Sequence, residues 1–314
     1  MKMKYLFAFV MVFGFVLTAC SAEPEEDIIP EHIIIGGEQF SRSLTELHLY
    51  RMDLSDEDIV PLRYMTNLTI LRLEYSQISD ITPLAELRNL RTLGLRGNQI
   101  SDITILAYLT NLVGLDLVDN QISDISPLAD ITNLRTLGLR ANQISDIMPL
   151  AGLMDLTGLY FGDNQIRDIA PLAGLTNLMV LSLTDNQISD ITPLAELRNL
   201  MQLFLDNNQI SDITSLAEIT SLTALGLQNN QISDITPLAG LTALTILNLT
   251  DNQISDITPL AGLADLFFLN LDDNQISDIT ILADLTNLIV LDLYRNPISD
   301  WSPVEDFENV RGRP

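Results

Sequence analysis

Apolar residues recur along this chain at fixed offsets, and the whole pattern returns every 22 residues. One unit reads Leu178-Met-Val-Leu181-Ser-Leu183-Thr-Asp-Asn186 and continues through Ile188, Ile191, Leu194, Ala195 and Leu197. In the L-x-x-L-x-L stretch the last two leucines alternate with variable positions. That is strand periodicity, with leucines facing inward and the x positions outward. Twelve such segments occur: Leu44–Leu49, then starts at Leu68, Leu90, Leu112, Leu134, Leu156, Leu178, Leu200, Leu222, Leu244, Leu266 and Leu288. Each predicts one rung of a parallel sheet, and twelve rungs about 4.8 Å apart make a sheet ~53 Å long. The second apolar group, in S-D-I-T-P-L-A-x-L, is too short for a long helix. Ser or Asp ahead of Pro predicts a capped short 3₁₀ or α turn with Pro in its first turn. A period of this length predicts a β-rich solenoid of the α/β type, in which each unit packs only on its neighbours.

Ten asparagines mark the period: Asn98, Asn120, Asn142, Asn164, Asn186, Asn208, Asn230, Asn252, Asn274 and Asn296. A buried amide at this place can satisfy backbone groups where the strand turns away and can bond to the adjoining rung. Ser76 and Met52 hold the position in the first two turns, which are therefore less regular. The aspartate column from Asp80 to Asp300 reads as a capping ladder; its functional alternative is an acidic stripe on the convex side. Both ends of a solenoid must be closed. Residues 32–43 predict a hairpin around Gly36-Gly37 that lids the first rung. The first repeat is 24 residues long, and Ser55–Asp58 looks like a capping box opening a fuller helix. After the repeat domain, residues 44–300, Trp301 replaces the usual Ile. Trp301, Val304, Phe307 and Val310 read as the plug of a C-terminal cap, residues 301–314.

These repeats resemble the internalin-type bacterial leucine-rich repeats. The resemblance rests on N-Q-I-S-D-I-T-P-L-A-x-L-T-N-L and spans Leu44 to about Asp300; the identical blocks Ile81–Leu90 and Ile191–Leu200 point to recent duplication. It implies a curved right-handed solenoid with a concave parallel sheet and a convex side of 3₁₀ turns. In that family the concave face grips host or cell-surface proteins. The chain departs from the family pattern in three expected respects: no recognisable helical N-cap of the internalin kind, no Ig-like domain after the repeats, and an anchor of the lipobox kind in place of a wall-sorting tail.

The first residues change the picture of where the solenoid resides. Met1–Lys4 is basic and Tyr5–Val16 almost wholly apolar, the flanks and length of an export signal rather than a membrane span. Leu17-Thr18-Ala19-Cys20 resembles the bacterial lipobox. The resemblance implies that residues 1–19 are a lipoprotein signal peptide, that the Cys20 thiol receives a diacylglycerol, and that cleavage leaves Cys20 as the N-terminus. The expectation is an exported protein, lipid-anchored to the bacterial cell membrane and facing outside the cytoplasm; the alternative is an ordinary signal peptide with a chance cysteine. Residues 20–31, with the run SAEPEED, form an acidic solvated tether. Cys20 is the single cysteine, so no disulfide can form within one chain.

The net charge is −26, and both lysines lie in the first four residues. Such a surface repels nucleic acid and anionic headgroups and suits cationic partners, or simply solubility. There are two histidines, His32 and His48, and no Cys/His cluster, phosphate loop or Ser/His/Asp arrangement is visible. Paired acids such as Asp272-Asp273, or Asp119 and Asp163, offer oxygen ligands, but at repeat spacing and without EF-hand order. The reading is a non-enzyme with no cofactor and no metal.

The outward column at the centre of the sheet is the variable one: His48, Arg72, Gly94, Asp116, Gly138, Tyr160, Ser182, Phe204, Gly226, Asn248, Asn270, Asp292. Tyr160 and Phe204 stand two rungs apart, about 10 Å, between small neighbours that leave room for a partner's side chains. Aromatic and Arg residues are favoured interface anchors; the bland alternative is that scattered surface aromatics merely cover the sheet. The candidate partner-binding set is Tyr50, Arg72, Tyr75, Arg140, Tyr160, Phe204, Phe268 and Tyr294. Charge also divides: Arg51, Arg72, Arg96 and Arg140 in the first half, Asp185, Asp206, Asp251, Asp272, Asp273 and Asp292 in the second, until Arg295. A partner of opposite polarity would be oriented by it. The expected function is recognition or adhesion of a protein by a monomer; the alternatives are a glycan-binding module or a spacer without a specific partner.

Overall fold

The computed structural model describes residues 31–313, and Cys20, the signal segment and nearly all of the tether fall outside them. A two-stranded antiparallel hairpin, β1 (His32–Ile35) and β2 (Glu38–Ser41), precedes a thirteen-stranded parallel sheet, β3 (Glu46–His48) to β15 (Val310–Arg311). The strands of the sheet follow chain order without exchange. Register is fixed by the repeat: Leu137 pairs with Leu159, Leu159 with Leu181 and Leu181 with Leu203, so each inward leucine stacks on its counterpart. A 3₁₀ turn returns the chain between most rungs, for example Thr192–Leu194 with Pro193 near its start. The result is a β-rich, curved leucine-rich repeat solenoid.

One core runs from Ile33 to Val304, built of leucine and isoleucine stacks that are almost all solvent-free. Burying each such side chain contributes roughly 1.5–3 kcal/mol. Phe161 takes a leucine's place in the inner column and is also fully buried.

The polar columns complete the scaffold. Asn164 is typical: its Oδ1 accepts the Ile144 N–H at 2.9 Å, and its Nδ2 donates to the carbonyls of Leu139 at 3.0 Å and Phe161 at 3.1 Å. Two of those three partners belong to the preceding rung, so the amide ties one turn to the turn before. The aspartate column caps the 3₁₀ turns, but from a different position than an N-cap. Ile occupies the N-cap place and makes no side-chain bond there. The Asp one residue earlier accepts the N–H two residues on, as Asp190 does from Thr192 at 2.9 Å. This is an Asx turn.

A third column is conformational. Tyr75, Asp119, Ala141, Asp163, Asp185, Asn207, Asn229, Asp251, Asp273 and Arg295 all have φ between 50° and 58°. Left-handed backbone disfavours a Cβ, and Asn and Asp tolerate it best among side-chain-bearing residues. That requirement accounts for Asp119 and Asp163 without any ion. Among the described residues no three His, Cys, Asp or Glu side chains are placed to hold a metal, and no helix is long and apolar enough to cross a membrane.

The ends differ from the interior. Ile33 and Ile35 point into the core from the hairpin while Ile34 points out. A short helix, α1 (Asp56–Ile59), opens with Ser55, whose N–H and hydroxyl both donate to the Asp58 carboxylate. Asp56 accepts from the Ser79 and Asp80 N–H groups, at 2.7 and 2.9 Å, and so ties this first turn to the next. At the other end the twelve leucine-patterned rungs are followed by a thirteenth. Val310, read from sequence as part of a plug, begins β15, which pairs in parallel with Leu291 and Asp292.

Candidate partner-binding face

The x positions of L-x-x-L-x-L form the outward surface of the sheet. Their side chains are free of the core, so the sequence varies there without cost to the scaffold. Three predicted residues, Arg72, Arg140 and Tyr160, line one open cavity of about 420 Å³ on this surface. Gly94, Gly114 and Gly138 pave its floor, and Glu74, Arg96 and Asp116 also line it. Tyr160 is 42 % exposed and leans back over Gly158, its ring 3.5 Å from where a Cβ would stand there.

Tyr50 and Tyr75 also come together. Their rings meet edge to face with centroids 5.3 Å apart. The Arg51 guanidinium lies 5.2 Å from both centroids, and that of Arg96 lies 5.7 Å from Tyr75. Such cation–π contacts hold the rings in place. Tyr75 sits at the rim rather than on the flat of the sheet, in the left-handed column, and its ring covers Gly97.

Phe204 is half-buried and lies two rungs beyond Tyr160, outside the lining of the cavity. The room expected beside it is partly taken: the Asp206 carboxylate lies 2.5 Å from where a Cβ on Gly226 would be. Phe268 and Tyr294 belong to the far end, where Ile246, Phe268 and Val290 align across adjacent strands. Beside them Phe267 and Ile289 are exposed. The eight predicted residues thus fall into an N-terminal group of five, with Phe204 in between and two at the C-terminal end.

Electrostatics separates the two ends. Burial pushes the Asp206 carboxyl above its usual range despite its bond from the Gln228 N–H at 2.9 Å. Burial also raises Asp272, with repulsion from Asp292 and Asp273 adding to it. Asp292 is buried and faces the Arg311 guanidinium at 3.5 Å. Arg295 grips both oxygens of Asp273 at 3.1 Å. The acidic end therefore carries its own arginines.

Sequence reasoning left Glu74, Arg96 and Asp116 out of the site, although all three are outward positions of the repeat. It also missed a second groove, of about 770 Å³, along the opposite rim of the sheet, lined by Asn67, Asn89, Asn111, Asn133 and neighbouring residues. The recurring N-L dipeptide, in T-N-L at Asn67, Asn111 and Asn133 and in R-N-L at Asn89, was its signal. The amides of Asn89, Asn111 and Asn133 are spent on the scaffold, Asn111 for instance donating to the Arg88 carbonyl at 2.8 Å. The smaller concave cavity, where Arg96 and Arg140 have no carboxylate partner among the described residues, is the better candidate.

Comparison with known proteins agrees with this architecture. The family described as leucine rich repeats in two copies matches residues 88–130, 110–152, 132–174, 155–196, 220–262 and 266–306, and a second leucine rich repeat family matches 176–232. No curated protein matches the chain. Among solved structures, an internalin (inlF) from Listeria monocytogenes is 36 % identical, with 88 % of this chain and 91 % of that one covered and a TM-score of 0.77. Internalin C2 (inlC2) of the same organism is 40 % identical over 67 % of this chain and 83 % of that one, at a TM-score of 0.53. The plant peptide hormone receptor RGFR1 in complex with RGF2 is 20 % identical over 82 % of this chain and 48 % of that one, TM-score 0.67, and shares the fold alone.

Proposed function

From a chain that belongs to the leucine-rich repeat family and is internalin-like, we propose a surface lipoprotein that binds a protein partner across its concave sheet, in recognition or adhesion. The observation that carries the reading is the grouping of Tyr50, Arg72, Tyr75, Arg140 and Tyr160 on and beside one open cavity, on a scaffold whose other columns are fixed by packing. Tyr and Arg supply large contact area and directional hydrogen bonds, the usual anchors of an interface. Phe204, Phe268 and Tyr294 extend the contact surface along the sheet, and the protein acts as a monomer.

Export and anchoring rest on the first twenty residues of the sequence. The lipobox-like Leu17-Thr18-Ala19-Cys20 supports acylation at Cys20 and display outside the cytoplasm. More than one acyl chain is needed for stable anchoring, each buried CH₂ adding about 0.8 kcal/mol.

Crosslinked capture from envelope and host-cell extracts tests the binding reading, with wild type beside Tyr160→Ala and Arg140→Ala. Protein partners captured reproducibly by wild type and by neither variant are the expected result. Partners retained at wild-type level in folded variants, or binding only to protein-free polysaccharide, would overturn it. Cys20→Ser should move the protein out of the membrane fraction; retention there would end the anchoring reading.

A further inference from the structure

Three arginines converge on the concave cavity of a strongly acidic chain. Arg72, Arg96 and Arg140 all line it. Among the described residues none of the three donates a hydrogen bond to another side chain or carbonyl. The nearest carboxylate to Arg72 is Glu74, at 3.6 Å, too far for a hydrogen bond. Arg96 rests on the Tyr75 ring. Arg140 makes no ion pair among the described residues.

Of the acids in the lining, Glu74 answers only Arg72, as an ion pair at 3.6 Å, and among the described residues neither Arg96 nor Arg140 has a carboxylate partner. The Glu74 side chain is only 9 % exposed, with Oε1 filling the place where Gly94 has no Cβ. Asp116 turns Oδ1 to the Val118 N–H at 3.0 Å. The exposed Arg96 and Arg140 forks therefore keep their donors unspent among the described residues, and a fork of this geometry matches a carboxylate in bidentate fashion.

Resting on the concave-face reading above, we propose that this cavity receives an acidic peptide segment of the partner, its carboxylates taken by Arg96 and Arg140 with Arg72 beside them. The spacing specifies the segment further. Arg96 and Arg140 occupy one outward column two rungs apart, about 9.6 Å at the usual strand separation. A polyproline II peptide presents residues i and i+3 on one face about 9.3 Å apart. A β-strand repeats its face every second residue, at about 6.7 Å, and misses that distance. The occupant is thus an extended acid-x-x-acid segment running along the solenoid axis, with small or proline residues between its acids to pass over the glycine floor.

The probe is a fluorescent Glu-Pro-Pro-Glu-Pro-Pro-Glu peptide, titrated against the full chain at constant ionic strength, beside versions carrying Gln or Lys in place of Glu. Saturable binding of the Glu peptide is expected, weakened about tenfold or more by Gln and by either Arg96→Ala or Arg140→Ala, because removing one charge-assisted hydrogen bond has an effect of that order. Arg167→Ala, an arginine bonded to Gln187 outside the cavity, should leave binding unchanged. Equal or tighter binding of the Lys peptide, no binding of the Glu peptide, or binding insensitive to Arg140→Ala in a folded variant would overturn the inference. If the Glu peptide fails while partner capture still depends on Tyr160, only the acidic-segment inference falls; if both fail, the concave-face reading falls with it.

Discussion

Asn186 stands in the seventh of the thirteen rungs and is 7 % exposed. Its Oδ1 accepts the Ile166 N–H at 3.0 Å, and its Nδ2 faces the carbonyls of Phe161 at 3.0 Å and of Leu183 and Thr184 at 3.1 Å. Two N–H groups serve three carbonyls, so one is shared and the side chain counts as three full hydrogen bonds. Asn186→Ala removes all three. At about 1 kcal/mol net per bond the loss is ~3 kcal/mol, rising toward ~5 if the buried Ile166 N–H and Phe161 C=O stay dry. Asn186→Asp keeps the acceptor but turns an anionic oxygen toward the carbonyls, and should cost more than alanine. Asn199→Ala is the control: one bond, to the Thr176 carbonyl at 2.9 Å on the exposed rim, worth about 1 kcal/mol or less. Urea unfolding followed by circular dichroism separates them. Because neighbouring turns hold each other in sequence, the mid-array defect should also lower the m-value or split the transition in two. A loss under about 1 kcal/mol with unchanged m, or an aspartate variant as stable as wild type, would refute the account of the asparagine column.

Ala141 has φ +56°, and Ala141→Gly should raise the urea midpoint by about 1 kcal/mol equivalent, the left-handed penalty less glycine's added chain entropy; a loss of stability would contradict it. Asp102, Asp124, Asp190, Asp212, Asp234, Asp256, Asp278 and Asp300 titrate below the ordinary 3.8 because each accepts hydrogen bonds from the side chain and backbone of the residue two positions on. Their folded pKa is depressed, so their stabilisation is complete above the unfolded value and is lost as pH falls through the folded one; the urea midpoint should drop steeply only below pH 3.8. Asp206 has the opposite sign, since burial raises it: its penalty is present at neutral pH and relieved on acidification. Asp206→Asn, which keeps an acceptor for Gln228, should therefore stabilise at pH 7, and a destabilised variant would reverse the assignment. Arg311→Ala strands the buried Asp292 carboxylate and should speed amide exchange in β15, costing about 2 kcal/mol locally, less than a fully buried pair because Arg311 is largely in water; Asp292→Asn in the same chain should recover most of it.

The leucine and isoleucine columns were legible because each repeat aligns with the next, and inward positions tolerate little but aliphatic shape. The asparagine column was legible for the same reason, down to its bonds with the neighbouring rung. Local backbone was less so. Asp119 and Asp163 look like paired ligands in sequence, whereas their positive φ makes them conformational choices. The cavity was only partly legible. Arg72, Arg140 and Tyr160 could be placed in outward columns, but not the lean of Tyr160 over Gly158 or the tuck of Glu74 over Gly94, because both depend on rotamers settled between rungs. Strand β15 was not legible at all. Glu308-Asn-Val-Arg311 has no leucine pattern, and what recruits it is the unpaired backbone edge of the Val290–Asp292 strand.

Every asparagine of the column reaches backward. Nδ2 of Asn208 finds the Leu183 carbonyl and Oδ1 takes the Ile188 N–H, both from the turn already made, and Asn230 repeats this one turn later. On a ribosome, which delivers the chain from its N-terminus, each new turn therefore arrives carrying its own fastener to the turn before. Assembly can proceed as a zipper in the direction of synthesis from the hairpin and α1, each turn being completed by the asparagine and the strand of the turn that follows it.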